Sequence, residues 1–341
     1  MKKILKTCKN NPNVQGTLKF YFGNSKYCIL DIETSGLSHK RDFLILSGII
    51  TCSPDKSEEV QFFAENPDDE KCVLEATLDV LRDCDFLITY NGKIFDIPFL
   101  IARAKCYSLD IAFLDSMFNL DMYSIIRKHA PFATFLPNLK QKTVEDFIGI
   151  YSGRSDIISG KESAALYDEF LKKGSTETLN KILLHNSDDI VQLHALMKIF
   201  DFIDIHKTFF YEGVPSLGIQ SIKIGSSLAI DGKNPYCIDF VSFSGTDDVL
   251  SIDSNKNTSK YRILLPLEEK NCYIYADTSP FIKDDCISSE IKKSPNYISG
   301  FLILKKNDFI YYKESNLMAM LLARHAYSYI CTKSAYLPRA F

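Results

Sequence analysis

Residues 27–37 read YCILDIETSGL, and the rest of the chain is best read outward from them. Tyr27 to Ile32 form a compact β-branched and aromatic run, which predicts a strand. Asp31 and Glu33 stand two apart, so on a strand they share one face. Two carboxylates on an otherwise apolar strand repel each other and are costly to bury unpaired. A divalent cation between them removes that cost, and hard oxygen ligands suit Mg²⁺ or Mn²⁺. Taken alone, the same residues also fit a strand that ends in a Thr-Ser-Gly turn with solvated acids.

Further strands are expected on both sides: LKFYF (18–22), FLILSGIITC (43–52) and EVQFFAE (59–65). Residues 69–83 place Val73, Leu74, Leu78 and Leu81 on one helical stripe. DFLITY (85–90) reads as a buried strand, followed by a helix over 96–106 that tolerates Pro98 in its first turn. AFLDS (112–116) is a weak further strand, and the chain to about residue 203 is helical. Its last long helix begins after Ser175, a natural N-cap, and carries Leu179, Ile182, Leu183, Ile190, Leu193 and Leu196. Strands followed by alternating helix and strand predict an α/β fold, a mixed sheet flanked by helices.

After about residue 205 the texture changes. SIKIGSSLAI, YCIDFVSF, YRILLPL, NCYIYAD and GFLILKKNDFIYYK are strand-like runs broken by polar stretches such as SIDSNKNTSK. FLILKKNDFIYY reads as a hairpin, and one late helix covers about 315–330. The expected organisation is a first domain over 1–204 and a smaller β-rich domain over 205–341. Basic and acidic residues balance over 201–341, so the whole net charge of -3 lies in the first 200 residues.

Composition excludes several classes. A length of 341 residues suggests two domains at roughly 150 residues each. With 46% apolar and 24% charged residues, the chain is ordinary globular material rather than a disordered one. No apolar run approaches the roughly 18 residues of a membrane span. MKKILKTCKN lacks the apolar core of a secretory signal, so a cytoplasmic protein is expected. Forty basic against forty-three acidic residues argue against binding DNA by bulk positive charge. None of the ten cysteines forms a C-x-x-C pair, and buried reduced thiols are expected. No G-x-x-x-x-G-K-[ST] loop is present, which argues against an ATPase.

Two more segments carry chemistry. Tyr90 to Phe99 read YNGKIFDIPF and follow the buried strand, where active sites of open α/β sheets lie. Asp96 sits near the start of the next helix, held by backbone amides, a position that also suits a simple cap. His185 to Ile190 read HNSDDI inside the last long helix. His185 and Asp189 stand four apart and face one way, as a site pair or as an exposed pair on a solvated face.

Together the segments resemble the DEDD superfamily of 3′→5′ exonucleases. DIETSGL is similar to that family's first motif, NGKIFD to the second and HNSDD to the third. LPNLKQKTVEDFIGIYSGRSDI and ALYDEFL resemble its YprB-like branch. The resemblance covers about residues 18–204 and implies a ribonuclease-H-like mixed five-stranded sheet flanked by helices. It implies that Asp31, Glu33, Asp96 and Asp189 hold two divalent ions, Mg²⁺ or Mn²⁺, about 4 Å apart. It further implies hydrolysis of single-stranded DNA or RNA from the 3′ end, with release of 5′ mononucleotides. One subgroup has a Tyr four residues before the last Asp, and another has a His five before it. Here His185 stands at the tyrosine spacing, so it is assigned to the attacking water; Asp188 is the fallback ligand beside Asp189.

Lesser candidates surround this set. Asn91 is a candidate to orient Asp96 or to meet a terminal nucleotide. Phe95 and Phe99 fit either the core or a wedge against a base. Thr34 and Gly36 are candidates to let the backbone approach a terminal sugar. Lys140, Lys142 and Arg154 are candidate phosphate contacts. Tyr261, Tyr273, Tyr275, Tyr311 and Tyr312 suit base stacking as well as ordinary strand composition. Two other readings compete with the exonuclease: a nucleic-acid-binding module with an inactive nuclease fold, and a scaffold acting through 205–341.

Overall fold

The computed structural model describes residues 1–7, 16–54, 56–151, 154, 155, 158, 160–233, 240–244, 251–255 and 260–333. The chain divides into two compact units, one of Met1–Lys19 with Asn24–Ile203, the other of Phe20–Gly23 with Asp204–Phe341.

The first unit runs β1 (Lys2–Thr7), α1 (Thr17–Phe22), β2 (Tyr27–Thr34), β3 (Leu44–Cys52), β4 (Ser57–Phe63), α2 (Glu70–Arg82), β5 (Phe86–Thr89), α3 (Asp96–Cys106), α4 (Ala112–Ser116), β6 (Phe118–Asp121), α5 (Met122–His129), α6 (Gln141–Phe147), α7 (Gly160–Lys173) and α8 (Thr176–Ala195). The last three residues of α1 fall within the second unit. The sheet order is β1-β4-β3-β2-β5-β6. The first four of these are antiparallel neighbours, while β5 pairs parallel with both β2 and β6. Such a mixed sheet suits a chain that begins with hairpins and continues through helical crossovers.

Three expectations need correction. The sheet has six strands rather than five, because Lys2–Thr7 pairs antiparallel with β4 at the sheet edge. The three lysines of this strand, Lys2, Lys3 and Lys6, suit such an edge, where charge discourages further pairing. LKFYF is helical: Tyr21 and Phe22 are both buried, and adjacent inward side chains do not fit the alternation of a half-buried strand. AFLDS is helical too, and the neighbouring strand is FNLD, where Phe118 stands opposite Phe86.

The apolar faces close two cores. One gathers Leu30, Ile32, Val73, Leu74, Leu78 and Leu81 beneath α2 and α3. The other sets Ile45, Leu46 and Phe63 against Tyr167, Leu179 and Ile182 of α7 and α8. Ser175 caps α8 by accepting from the Thr178 N–H at 3.3 Å, as its position predicts.

The cysteines differ from expectation. Cys28 on β2 and Cys84 after α2 are joined, their Cα atoms 6.2 Å apart, because β2 and the end of α2 meet within the core. Among the described free cysteines Cys52 is buried, whereas Cys72, Cys106, Cys272 and Cys286 are exposed.

The second unit is β-rich. It opens with α9 (Ile205–Glu212), then β7 (Ile219–Ile224), β8 (Ser227–Lys233), β9 (Phe240–Ser244), β10 (Ser251–Asn255) and β11 (Lys260–Pro266), which form a sheet in the order β7-β8-β11-β10-β9. Next come β12 (Glu268–Lys270), β13 (Tyr273–Asp277), α10 (Cys286–Lys293), β14 (Tyr297–Ile298), β15 (Phe301–Lys306), β16 (Phe309–Ile310) and α11 (Tyr312–Lys333). Here β12-β13-β15-β14 form a sheet with β16 beside β15, the expected hairpin turning at Asn307. SIDSN, expected as part of a break, is the strand β10, and residues 236–239 of YCIDFVSF lie outside the described residues. Among the described residues no helix is long and apolar enough to cross a membrane.

Two buried charge-bearing groups make stability claims. Glu70, 1% exposed at the start of α2, accepts from Arg103 Nε and Nη2 at 2.7 and 2.6 Å. It also accepts from the Tyr107 hydroxyl at 2.7 Å and the Leu44 N–H at 2.8 Å. Removing one partner of such a pair leaves the other buried without compensation. Glu70→Ala is therefore expected to cost about 3–5 kcal/mol in urea denaturation. His194 lies beside Cys52 Sγ at 3.8 Å, and burial pushes its pKa down to about 4. Between the unfolded value near 6.5 and about 4, only the unfolded chain takes up this proton, so stability falls as pH falls through that window. Full loss amounts to about 3 kcal/mol. The curve of stability against pH for His194→Gln should be shallower than wild type by that contribution.

Candidate active site

Three elements bring the acidic segments together. Asp31 and Glu33 lie near the end of β2, the central strand flanked by β3 and β5. Asp96 is the first residue of α3, and His185 and Asp189 project from successive turns of α8. Glu33, Asp96 and His185 are buried, while Asp189 keeps 19% of its side chain exposed.

Their electrostatics reflect crowding. The Asp31 carboxyl is raised well above the ordinary range, first by desolvation and then by the charges of Asp189, Asp96 and Glu33. Burial likewise pushes Asp96 up to about 7, opposed by its own backbone N–H and that of Ile32, which lies 3.3 Å from Asp96 Oδ1. The Ile32 bond ties the start of α3 to β2. His185 Nε2 sits 3.6 Å from Glu33 Oε1 and 3.6 Å from Asp189 Oδ2. Ligand atoms of Glu33, His185 and Asp189 all lie within 4.8 Å of one another. Hard carboxylate oxygens with one imidazole form a donor set that fits a divalent ion, whose charge would relieve the repulsion raising Asp31.

The side chains around the acids are held from behind. Asn186, fully buried, donates from Nδ2 to Asp31 Oδ2 at 2.9 Å and to the Asp31 carbonyl at 3.3 Å. Its Oδ1 accepts from Gln61 Nε2 at 2.9 Å, and Gln61 also donates to the Leu183 carbonyl at 2.8 Å. Gly48 stands opposite Asp31 on β3, and a Cβ there would overlap the Asn186 amide. An isolated glycine inside an apolar strand and a lone Gln in EVQFFAE were the signals available for this relay. The Asn186 partnership depends on where α8 crosses the sheet, which no local pattern specifies.

The remaining candidates fall unevenly. The Thr34 hydroxyl donates to the Gly36 carbonyl at 2.7 Å, and Gly36 packs against the Asp42 carboxylate. Asn91 adopts φ 62°, and its carbonyl accepts from the Ile94 and Phe95 N–H groups to form the turn before α3. Asp121, 2% exposed, holds that turn through the N–H groups of Asn91 and Lys93 at 3.2 and 3.0 Å, a role that no motif in the sequence marks. Phe95 is half-buried on the core, its ring 5.7 Å from Phe99. Asp188 Oδ2 accepts from the Ser155 N–H at 2.6 Å. Lys142 Nζ donates to the Ile158 carbonyl. Arg154, a candidate phosphate contact, is instead buried in ion pairs with Glu145 and Asp189. In the second unit Tyr261 donates to the Leu217 carbonyl, Lys306 lies over the Tyr273 ring, and Tyr275 donates to Glu268.

With this geometry in view, comparison with known proteins places the chain. A family model described as RNase_H superfamily matches residues 28–201, more than half of the sequence, and the chain belongs to that superfamily. It is also similar to a DNA polymerase of Methanocaldococcus jannaschii, with 29% identity over 98 residues, covering 23% of this chain and 6% of the polymerase. A solved structure of the family B DNA polymerase of Pyrobaculum calidifontis matches with TM-score 0.42 and 20% identity, covering 56% of this chain and 26% of that one. The chain thus spans only a small part of either polymerase.

The relay behind Asp31 is open to a double-mutant test. Gly48→Ala should cost about 1–3 kcal/mol by forcing the Asn186 amide aside. Combined with Asn186→Ala, the loss should fall short of the sum of the two single losses, because both remove one contact. Full additivity in urea denaturation would show that Gly48 serves some other neighbour.

Proposed function

We propose that this protein is a metal-dependent 3′→5′ exonuclease of the YprB-like branch of the DEDD superfamily, hydrolysing phosphodiester bonds at single-stranded nucleic-acid ends. The observation that carries this reading is the cluster of Glu33, His185 and Asp189, whose ligand atoms lie within 4.8 Å of one another, beside Asp31, which feels the charges of Glu33, Asp96 and Asp189. Membership in the RNase_H superfamily supports a nuclease, and the sequence similarity to a DNA polymerase is compatible with one acting on DNA.

In this reading Asp31, Glu33, Asp96 and Asp189 hold two divalent ions, Mg²⁺ or Mn²⁺. When bound, such ions supply positive charge that activates water and steadies the leaving 3′ oxygen. The Ile32 N–H keeps Asp96 turned toward β2, and Asn186 keeps Asp31 from swinging away. His185 Nε2, between Glu33 and Asp189, is placed to orient the attacking water and to accept its proton. The turn at Asn91, the backbone at Thr34 and Gly36, and the ring of Phe95 are the candidate contacts for the terminal nucleotide. We assign the chemistry to residues 1–204 and an accessory role to 205–341.

The test is digestion of 5′-labelled single-stranded DNA and RNA with Mn²⁺, Mg²⁺ or EDTA. A ladder shrinking from the 3′ end, abolished by EDTA and lowered at least 10³-fold by Asp31→Asn, is expected, since the activated water and its ligands work as a unit. Binding of either strand by folded, metal-loaded protein without cleavage would overturn this reading in favour of a nucleic-acid-binding module.

A further inference from the structure

Beside the acid site lies a charged pair that the proposed chemistry leaves without a task. Arg154 belongs to the connection between α6 and α7, yet its side chain is only 1% exposed. Its Nε and Nη2 meet the two oxygens of Glu145 at 2.5 and 2.8 Å, and Glu145 is fully buried on α6. Its Nη1 lies 2.5 Å from Asp189 Oδ1. The other oxygen, Asp189 Oδ2, is the one that faces His185 Nε2.

The two contacts differ in kind. A planar guanidinium bound through two of its nitrogens to one carboxylate cannot turn, so its third nitrogen points in a set direction. Asp189 thus meets a donor whose place is decided by Glu145 rather than by its own mobility. The charges of Arg154 and Glu145 largely cancel, so the pair can orient Asp189 without adding a net positive field at a site for cations. The same stretch of α8 is gripped twice more. Gln141, one turn before Glu145 on α6, donates from Nε2 to the Asp189 carbonyl at 2.9 Å, and the Ser155 N–H holds Asp188.

We propose that Arg154, oriented by Glu145, is a positioning residue for Asp189: it occupies Oδ1 and leaves Oδ2 as the single oxygen offered to a divalent cation. This rests on the reading of Asp189 as a metal ligand given above. It explains a buried guanidinium in a connecting segment, where a lysine would bring the charge without the fork.

The test compares wild type, Arg154→Lys and the double variant Arg154→Gln/Glu145→Gln, which removes both charges and leaves neither buried alone. Mn²⁺ affinity is measured by calorimetry on protein whose circular dichroism matches wild type, beside cleavage at rising Mn²⁺. The double variant should bind Mn²⁺ 10–100-fold more weakly, as loss of a ligand's supporting partner does. Cleavage should recover in part at high Mn²⁺, with KM for the strand unchanged. Arg154→Lys should fall between the two, and it decides the matter if the double variant does not fold. Unchanged Mn²⁺ affinity in the folded variants overturns the proposal. Tighter binding overturns it as well, because Arg154 would then be a competing charge. If wild type itself binds no Mn²⁺, the reading of Asp189 as a ligand fails and the proposal falls with it.

Discussion

Like charges gathered at the end of an apolar strand are the constraint around which the first unit is organised. Asp31 is raised chiefly by burial, then by three other carboxylates, so the site stores repulsion that folding alone does not relieve. Elsewhere in the unit three buried acids are matched by cations. Glu70 has Arg103, Glu145 has Arg154 and Glu59 has Lys6 at 3.0 Å. Asp31 and Asp96 are treated differently: their protein partners are neutral donors, an amide side chain for one and backbone N–H groups for the other. Asp121, also held by backbone N–H groups, braces a turn, and Asp189 is met by Arg154, so it is the crowding of carboxylates around Asp31 that marks the site acids.

The bracing acids and the site acids are nonetheless linked. Glu145 pairs with Arg154, and Arg154 reaches Asp189; Asn186, three residues before Asp189, reaches Asp31. The helix α8 therefore presents four polar residues in succession, His185 to Asp188, that are all buried. A buried polar turn of that kind is tolerable only where each group has a partner. Ser187 has Glu59 at 2.6 Å, Asp188 has the Ser155 N–H, and Asn186 has both Asp31 and Gln61.

Several of these relations were legible in the sequence. Strand parity sets Asp31 and Glu33 on one face, and helical period sets His185 and Asp189 on another, because both depend only on neighbouring residues. The segments at 27–37, 43–52, 70–82, 96–106 and 176–195 follow from the same local periodicities. Errors arose where a short run carried too little pattern. LKFYF and AFLDS are five residues each: LKFYF buries the adjacent Tyr21 and Phe22, whereas AFLDS buries Leu114 and Ser116, a spacing of two that a strand would share, so local pattern could not reveal its helix. In KKILKT the lysines disguise an edge strand that only β4 completes.

What adjacent residues determined, then, was the order of strands and helices and the side on which each acidic pair lies, since periods of two and 3.6 are written in the chain itself. What the tertiary structure alone decided was which remote groups meet. Gly48 clears the space for Asn186, Arg154 turns inward to Asp189 rather than outward to solvent, and Cys28 finds Cys84. These contacts depend on the register between strands and the angle at which α8 crosses them. Such quantities come from the packing of whole faces, and no residue encodes them singly.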